Sequence, residues 1–241
     1  MTEKLSHIWV YLAASPLLWL AMTLLAYQAG FWLYRRHGLH PLLNPVAIAV
    51  VLLVAVLKLS GTPYQSYFDG AQFVHFLLGP ATVALAVPLY NHFGQVRRML
   101  LPLLGALLAG SATAIVSAVG IGWLLGASPA TLLSLAPKSV TTPIAMGIAE
   151  KTGGLPSLTA VLVICTGILG AIMAKPILDL LRIRDDAVRG FAVGVAAHGI
   201  GTARAFQVSQ LAGAFSGLAM GLNGLVTAVL LPLLVRPLGL G

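Results

Sequence analysis

Leu135-Ala136-Pro137-Lys138-Ser139-Val140-Thr141-Thr142-Pro143-Ile144-Ala145 is the stretch that decides how this chain is read. Two prolines and four polar side chains interrupt an apolar sequence, and Lys138 is the one formal charge among them. Residues 99 to 137, just before it, carry no charged side chain. Each proline removes a backbone donor and crowds the preceding turn, so one clean helix is excluded. Broken backbone at membrane depth has to line a cavity or be buried in protein. Lys138, Ser139, Thr141 and Thr142 are therefore the leading site candidates, with Pro137 and Pro143 as the breaks.

Composition sets the surroundings. Of 241 residues, 59% are hydrophobic and 8% charged, whereas a soluble domain carries about 25% charged residues. Mean hydropathy is +0.95. The chain reads as an all-α polytopic membrane protein of seven to nine spans at ~20 residues each, with no separate soluble domain. The net charge of +8 sits in short clusters at the ends of apolar runs, the pattern of topology signals and lipid contacts and not of a nucleic-acid surface. The single cysteine, Cys165, cannot form an intramolecular disulfide. The amino-terminal apolar run is too long for a signal peptide and reads as a retained first span over residues 8 to 34, with Trp9, Tyr11, Trp32 and Tyr34 near its ends.

Outward from there the chain alternates apolar runs and basic or glycine-proline punctuation. Asn44-Pro45 opens a span to about Leu57, proline being tolerated in a first helical turn. Residues 60 to 70 read as an interfacial connection with turns at Gly61, Pro63 and Gly70, its Tyr64, Tyr67 and Asp69 serving as interfacial anchors or facing an entrance. Residues 71 to 92 are broken at Gly79-Pro80 and at Pro88, with Thr82 between, and read as a second discontinuous helix. Residues 99 to 126 form a small-residue-rich span, and Ser128 caps a helix at Pro129. Residues 155 to 178 span again, ending in a local Lys175–Asp179 pair. Arg182, Arg184, Asp185, Asp186 and Arg189 make a basic loop on the expected cytoplasmic side. Residues 187 to 206 carry His198, Thr202 and Arg204. In the last span, 210 to 235, Gly213, Gly217 and Gly221 at spacing four offer a face for close helix packing.

The two broken stretches resemble each other. Pro80-Ala81-Thr82-Val83 matches Pro137-Lys138-Ser139-Val140, a second proline follows in each (Pro88, Pro143), and each leads to a Leu-Pro opening the next span. Paired proline-interrupted segments point to a transporter binding site near the midplane. Simple span counting puts the basic loop at 182 to 189 on the wrong side, and one broken segment returning to its starting side removes that conflict.

The chemistry available is that of anion binding. A lysine in apolar surroundings has to find an anion or water, and hydroxyls beside it, with a helix N-terminus near Pro143, suit a small carboxylate. The alternative is a lysine snorkelling at an interface. Arg204 can clamp a carboxylate and His198 can exchange a proton near neutral pH, or the two are a topology charge and a structural histidine. They lie about 120° apart around a regular helix, so a shared cavity requires a distortion at Gly199 and Gly201. No metal spacing, nucleophile elbow or phosphate loop occurs, and neither an enzyme nor a bound cofactor or metal is expected.

Asn44-Pro45, the run from Pro80 to Tyr90, Gly126-Ala127-Ser128-Pro129, the run from Pro137 to Ala145, Gly153-Gly154-Leu155-Pro156, Ala197-His198-Gly199-Ile200-Gly201-Thr202-Ala203-Arg204 and the run from Gly213 to Ala219 together resemble the LrgB/CidB family of bacterial inner-membrane proteins. The resemblance covers nearly all the chain from about residue 40. It implies one LrgB-type transmembrane domain over 1–241, with 1–70 as scaffold or dimerisation part and 71–241 as substrate-binding core. It also implies an antiholin-like or holin-like role in murein hydrolase activity and autolysis beside a separate LrgA/CidA-type membrane partner. Relatives of the family are linked to transport of pyruvate-, glycolate- or glycerate-like monocarboxylates. On that reading Lys138, Ser139, Thr141, Thr142, Thr202, Arg204 and Thr82 bind the anion and His198 couples protons, in a homodimer.

Overall fold

The structure, a computed structural model, describes residues 15–235. Among them it contains α-helices and one short 3-10 turn and no strand. Two compact units divide the chain, Met1–Ala84 and Leu85–Gly241. The division falls inside the first proline-broken stretch, with Pro80 in one unit and Pro88 in the other.

In the first unit, α1 (Pro16–Arg36) packs against α2 (Pro45–Ser60) and α3 (Tyr64–Phe76), and α4 (Leu78–Ala84) follows. The Asn44 side chain accepts from the backbone N–H groups of Val46 and Ala47, which supplies two donors that the first turn of α2 leaves open. Gly61 at φ 65° closes that helix in the left-handed conformation glycine tolerates. Residues 64 to 70, expected as a connection, are helical. Gly70 is a packing position and not a turn: a Cβ there would run into Pro16 O, with the Trp19 Cβ 2.8 Å away. Tyr67 stands edge-on to the buried Trp19 ring, with centroids 5.9 Å apart. The positions of Trp9 and Tyr11 lie outside the described residues.

The second unit holds α5 (Ala86–Asn91), α6 (Phe93–Arg98), α7 (Leu100–Leu124), α8 (Pro129–Leu135), α9 (Thr142–Thr152), α10 (Pro156–Leu180), α11 (Asp186–Val208) and α12 (Gln210–Val235). α11 and α12 form its centre, and their close approach is made by Gly190 and Gly194 on α11. A Cβ at either would collide with the carbonyl oxygens of Ala212 and Ser216. On α12, Gly213 lies under the Phe206 ring, a Cβ added at Gly217 would make ordinary contact with Leu85, and one added at Gly221 would meet nothing within 4 Å. α7 runs parallel to α12: Leu103 and Leu107 join Phe215 and Ala219 in one apolar cluster, while Ile115 and Val119 join Leu231 and Val235 in the next.

Polarity in this unit runs opposite to that of a water-soluble bundle. Leu101, Leu108, Val116 and Trp123 of α7 face outward, while Ser111, Ser134, His198, Thr202, Ser216, Asn223 and Thr227 are buried. Apolar exteriors and polar interiors are what a hydrocarbon solvent selects, since every polar group has to be satisfied within the protein. Five described segments are long and apolar enough to cross a membrane: Pro16–Arg36, Tyr64–Asn91, Leu100–Leu124, Pro156–Leu180 and Gln210–Val235. α2 is shorter, and α11 is long but interrupted. The chain is an all-α, multi-pass membrane protein.

Candidate functional site

α8 and α9 form a hairpin that enters and leaves on one side. Ser128 caps α8 by accepting from Thr131 N, and Pro129 in the first turn fits the helix start. After seven residues the helix ends. Pro137 and the residues after it turn through bonds from Lys138 N to Leu135 O and from Val140 N to Pro137 O. Thr141 then takes an extended conformation, Pro143 sits in the first turn of α9, and Gly153 at φ 90° terminates that helix eleven residues after its start. The chain has by then come back to where it left. Leu155 N donates to Ser134 Oγ at 2.7 Å, Thr159 Oγ1 donates to Ser134 O at 3.1 Å, and a Cβ on Gly154 would touch Ser134 N at 3.0 Å.

Length decides what such a hairpin is. Helices of seven and eleven residues are about 10 and 16 Å long, against a hydrocarbon core of about 30 Å. Neither crosses, and both suit a re-entrant element whose tip stops half-way. The tip, Ser139, meets Asn223, which lies near the middle of the 26-residue α12.

The second break is in α11. His198 adopts φ 40° and ψ −136° inside an otherwise helical run, a conformation that side-chain-bearing residues seldom take. The expected distortion at Gly199 and Gly201 is therefore corrected by one residue or more: the backbone turns at the histidine itself. What holds it there is its ring. Its Nε2 lies 2.9 Å from Val163 O on α10, and since a carbonyl only accepts, Nε2 carries the hydrogen. Gly167, one turn along α10, makes the slot, because a Cβ there would come within 2.7 Å of the imidazole. Thr202 Oγ1 donates to His198 O at 2.8 Å and shares a 2.9 Å bond with Ser216 Oγ on α12. Val163 also packs against Val140 and Ala145 of the hairpin, so hairpin tip, α10 and the α11 break converge on one residue.

Asn223 joins the two breaks, and sequence reasoning missed it. Its side chain is 1% exposed. Nδ2 donates to Ser139 O at 3.3 Å and to Val195 O at 3.0 Å, the latter in the turn before the His198 break. Oδ1 accepts from Ser111 Oγ on α7 and from Thr227 Oγ1 at 3.4 Å. All the bonding capacity of the carboxamide is used. A carbonyl near a helix break loses regular i+4 pairing, and a carboxamide with two donors is the side chain that can serve one such carbonyl on each of two broken segments.

Beside this crosspiece is an open groove of about 860 Å³ lined by α7, α10 and the first half of α11, with Leu169, Met173, Ile177 and Val188 exposed along it. Lys138 and Ser139 stand on its wall together with Thr113, Thr166, Val195 and Ala196. Lys138 Nζ donates to Ser139 Oγ at 3.2 Å, and no acidic partner to Lys138 occurs among the described residues. The other polar candidates are elsewhere. Thr141 and Thr142 are half-buried in the approach to α9 and do not line the cavity. His198 and Thr202 are buried in the packing of α10 to α12. Arg204 is half-buried beyond the break, where Nη1 donates to Gln207 Oε1 at 3.0 Å. Thr82 belongs to the other unit. The structure thus brings Lys138 and Ser139 to a cavity with α11, and does not bring His198, Thr202 or Arg204 to its wall.

A family model described as LrgB-like matches residues 23–236. YxaC of Bacillus subtilis is 38% identical over 214 residues, 89% of this chain and 93% of that protein. YwbG of the same organism is 36% identical over 216 residues, 90% and 96% of the two chains. The antiholin-like protein LrgB of Bacillus mycoides is 28% identical over 225 residues, 93% and 98% of the two chains. No solved structure matches. The family match runs through the re-entrant hairpin, the broken α11 and Asn223 alike, and the chain belongs to the LrgB-like family.

Proposed function

We propose that this chain is an antiholin-like protein of a bacterial inner membrane, acting as a homodimer beside a separate LrgA/CidA-type membrane partner on the control of murein hydrolases. The support is the near full-length alignment with relatives that bear the antiholin-like name. One geometric observation favours a second, more specific reading, that the protein moves a small monocarboxylate across the membrane without covalent chemistry. Lys138 stands on the wall of a cavity, at the tip of a half-membrane hairpin, with a hydroxyl and no carboxylate beside it. A desolvated ammonium so placed is stabilised by an anion that enters. A regulator acting only through contacts has no use for so costly a charge. Uptake of labelled pyruvate or glycolate by proteoliposomes tests this reading: wild type should transport, and Lys138→Ala should lose most of the flux. Equal flux in both removes Lys138 from the site, and no flux in the wild type leaves the antiholin-like reading alone.

A further inference from the structure

We infer that the Lys138 cavity selects monocarboxylates with an apolar body, so that affinity rises with chain length and falls on hydroxylation or addition of a second carboxylate. The inference rests on the carboxylate reading of Lys138 and adds the class of acid that the walls accept.

Three features of the cavity carry it. The first is charge: among the described residues Lys138 is the one ionisable side chain on its wall, so one carboxylate is matched and a second would face apolar groups unpaired. The second is the wall itself. Met99, Leu103, Met173, Ile177 and Phe191 line the cavity, and Ser139, Thr113 and Thr166 are its hydroxyls. A hydroxy acid has to leave water for a surface with few partners for its hydroxyl groups, and loses part of its hydrogen bonding. The third is size. A three-carbon acid of six or seven non-hydrogen atoms occupies roughly 180–210 Å³, at about 30 Å³ for each water-sized group, a small part of the 860 Å³ present. Wall residues from Lys138 at the hairpin tip to Ile177 near the end of α10 give an alkyl chain room to lie along the cavity with its carboxylate at the lysine.

The test compares a homologous series. Binding of acetate, butyrate, hexanoate and octanoate to purified protein in nanodiscs is measured against Lys138→Ala in the same lipid, so that partition of the acids into the bilayer cancels. Each methylene buried should strengthen the Lys138-dependent affinity about fourfold, the equivalent of about 0.8 kcal/mol. 2-Hydroxybutyrate should bind more weakly than butyrate, and succinate more weakly still. Ala106→Phe, which fills the α7 wall, should weaken octanoate more than acetate. A flat or falling series, or glycolate and succinate binding better than butyrate, overturns the inference while leaving the carboxylate site standing. No Lys138-dependent binding of any acid, as when a lipid chain or a partner helix fills the groove, overturns both.

Discussion

Replacing Asn223 with alanine should release the hairpin tip from α11 and α7. The side chain makes four hydrogen bonds, to Ser111, Ser139 O, Val195 O and Thr227. Hydrogen bonds between membrane helices average about 0.6 kcal/mol, so the bonds alone come to roughly 2.4 kcal/mol. Leaving two buried carbonyls unserved adds about 1–3 kcal/mol for each that finds no water. A loss of about 3–5 kcal/mol is the expectation if one carbonyl relaxes to water and the other stays unserved. Asn223→Asp keeps the shape but puts carboxylate oxygen against two carbonyl oxygens, and should be no better tolerated. Thermal unfolding in detergent reads the stability. A cysteine placed at Ser139 in a Cys165→Ala background reads the tip, through its rate of labelling by a polar maleimide. Labelling should accelerate about tenfold or more in Asn223→Ala. Unchanged labelling and an unchanged unfolding midpoint would refute the assignment of Asn223 as the crosspiece.

Other substitutions probe the neighbouring contacts. Gly167→Ala removes the slot for the imidazole and should destabilise by about 1–3 kcal/mol as an overpacking change; in a His198→Ala background the same change should cost much less, and equal costs in both would exclude the contact. Gly194→Leu should separate α11 from α12 and prevent recovery of folded protein, while Gly221→Leu, where nothing lies within 4 Å, should leave detergent-solubilised monomer stability within about 0.5 kcal/mol. Asp179 takes bonds from Lys175 at 3.0 Å and Arg189 at 2.8 Å. Both pairs lie at the surface, so Lys175→Ala should leave the unfolding midpoint nearly unchanged, and more nearly so in high salt; a large, salt-independent loss would contradict a surface role.

Local chemistry made much of this architecture legible. Pro137 and Pro143 declared a broken segment because proline cannot sit in a helix interior without cost; Pro45 declared a helix start because a first turn tolerates it, and Ser128 declared another through its capping oxygen. Lys175 and Asp179 are four apart, a spacing whose geometry is fixed by the helix. What stayed hidden depends on contacts far apart in sequence. Asn223 meets partners 112, 84 and 28 positions away, and nothing adjacent marks it except that a carboxamide in an apolar span is expensive and needs partners. The break in α11 was expected at glycine because glycine tolerates positive φ. It falls on His198 because Gly167, on another helix, makes room for a ring that anchors the strained residue. Lys138, His198 and Arg204 suit one anion by residue type, but helix spacing cannot say which cavity each faces, and here one of the three reaches the cavity wall.

On the transport reading proposed above, Lys138 at the hairpin tip receives a carboxylate. Uptake of labelled monocarboxylate into proteoliposomes, wild type beside Lys138→Ala and with protein incorporation matched, tests it most directly. Saturable uptake that falls at least about tenfold in the variant is the predicted result. Wild-type vesicles no more permeable than protein-free ones, or a variant that transports as well as wild type, would contradict it.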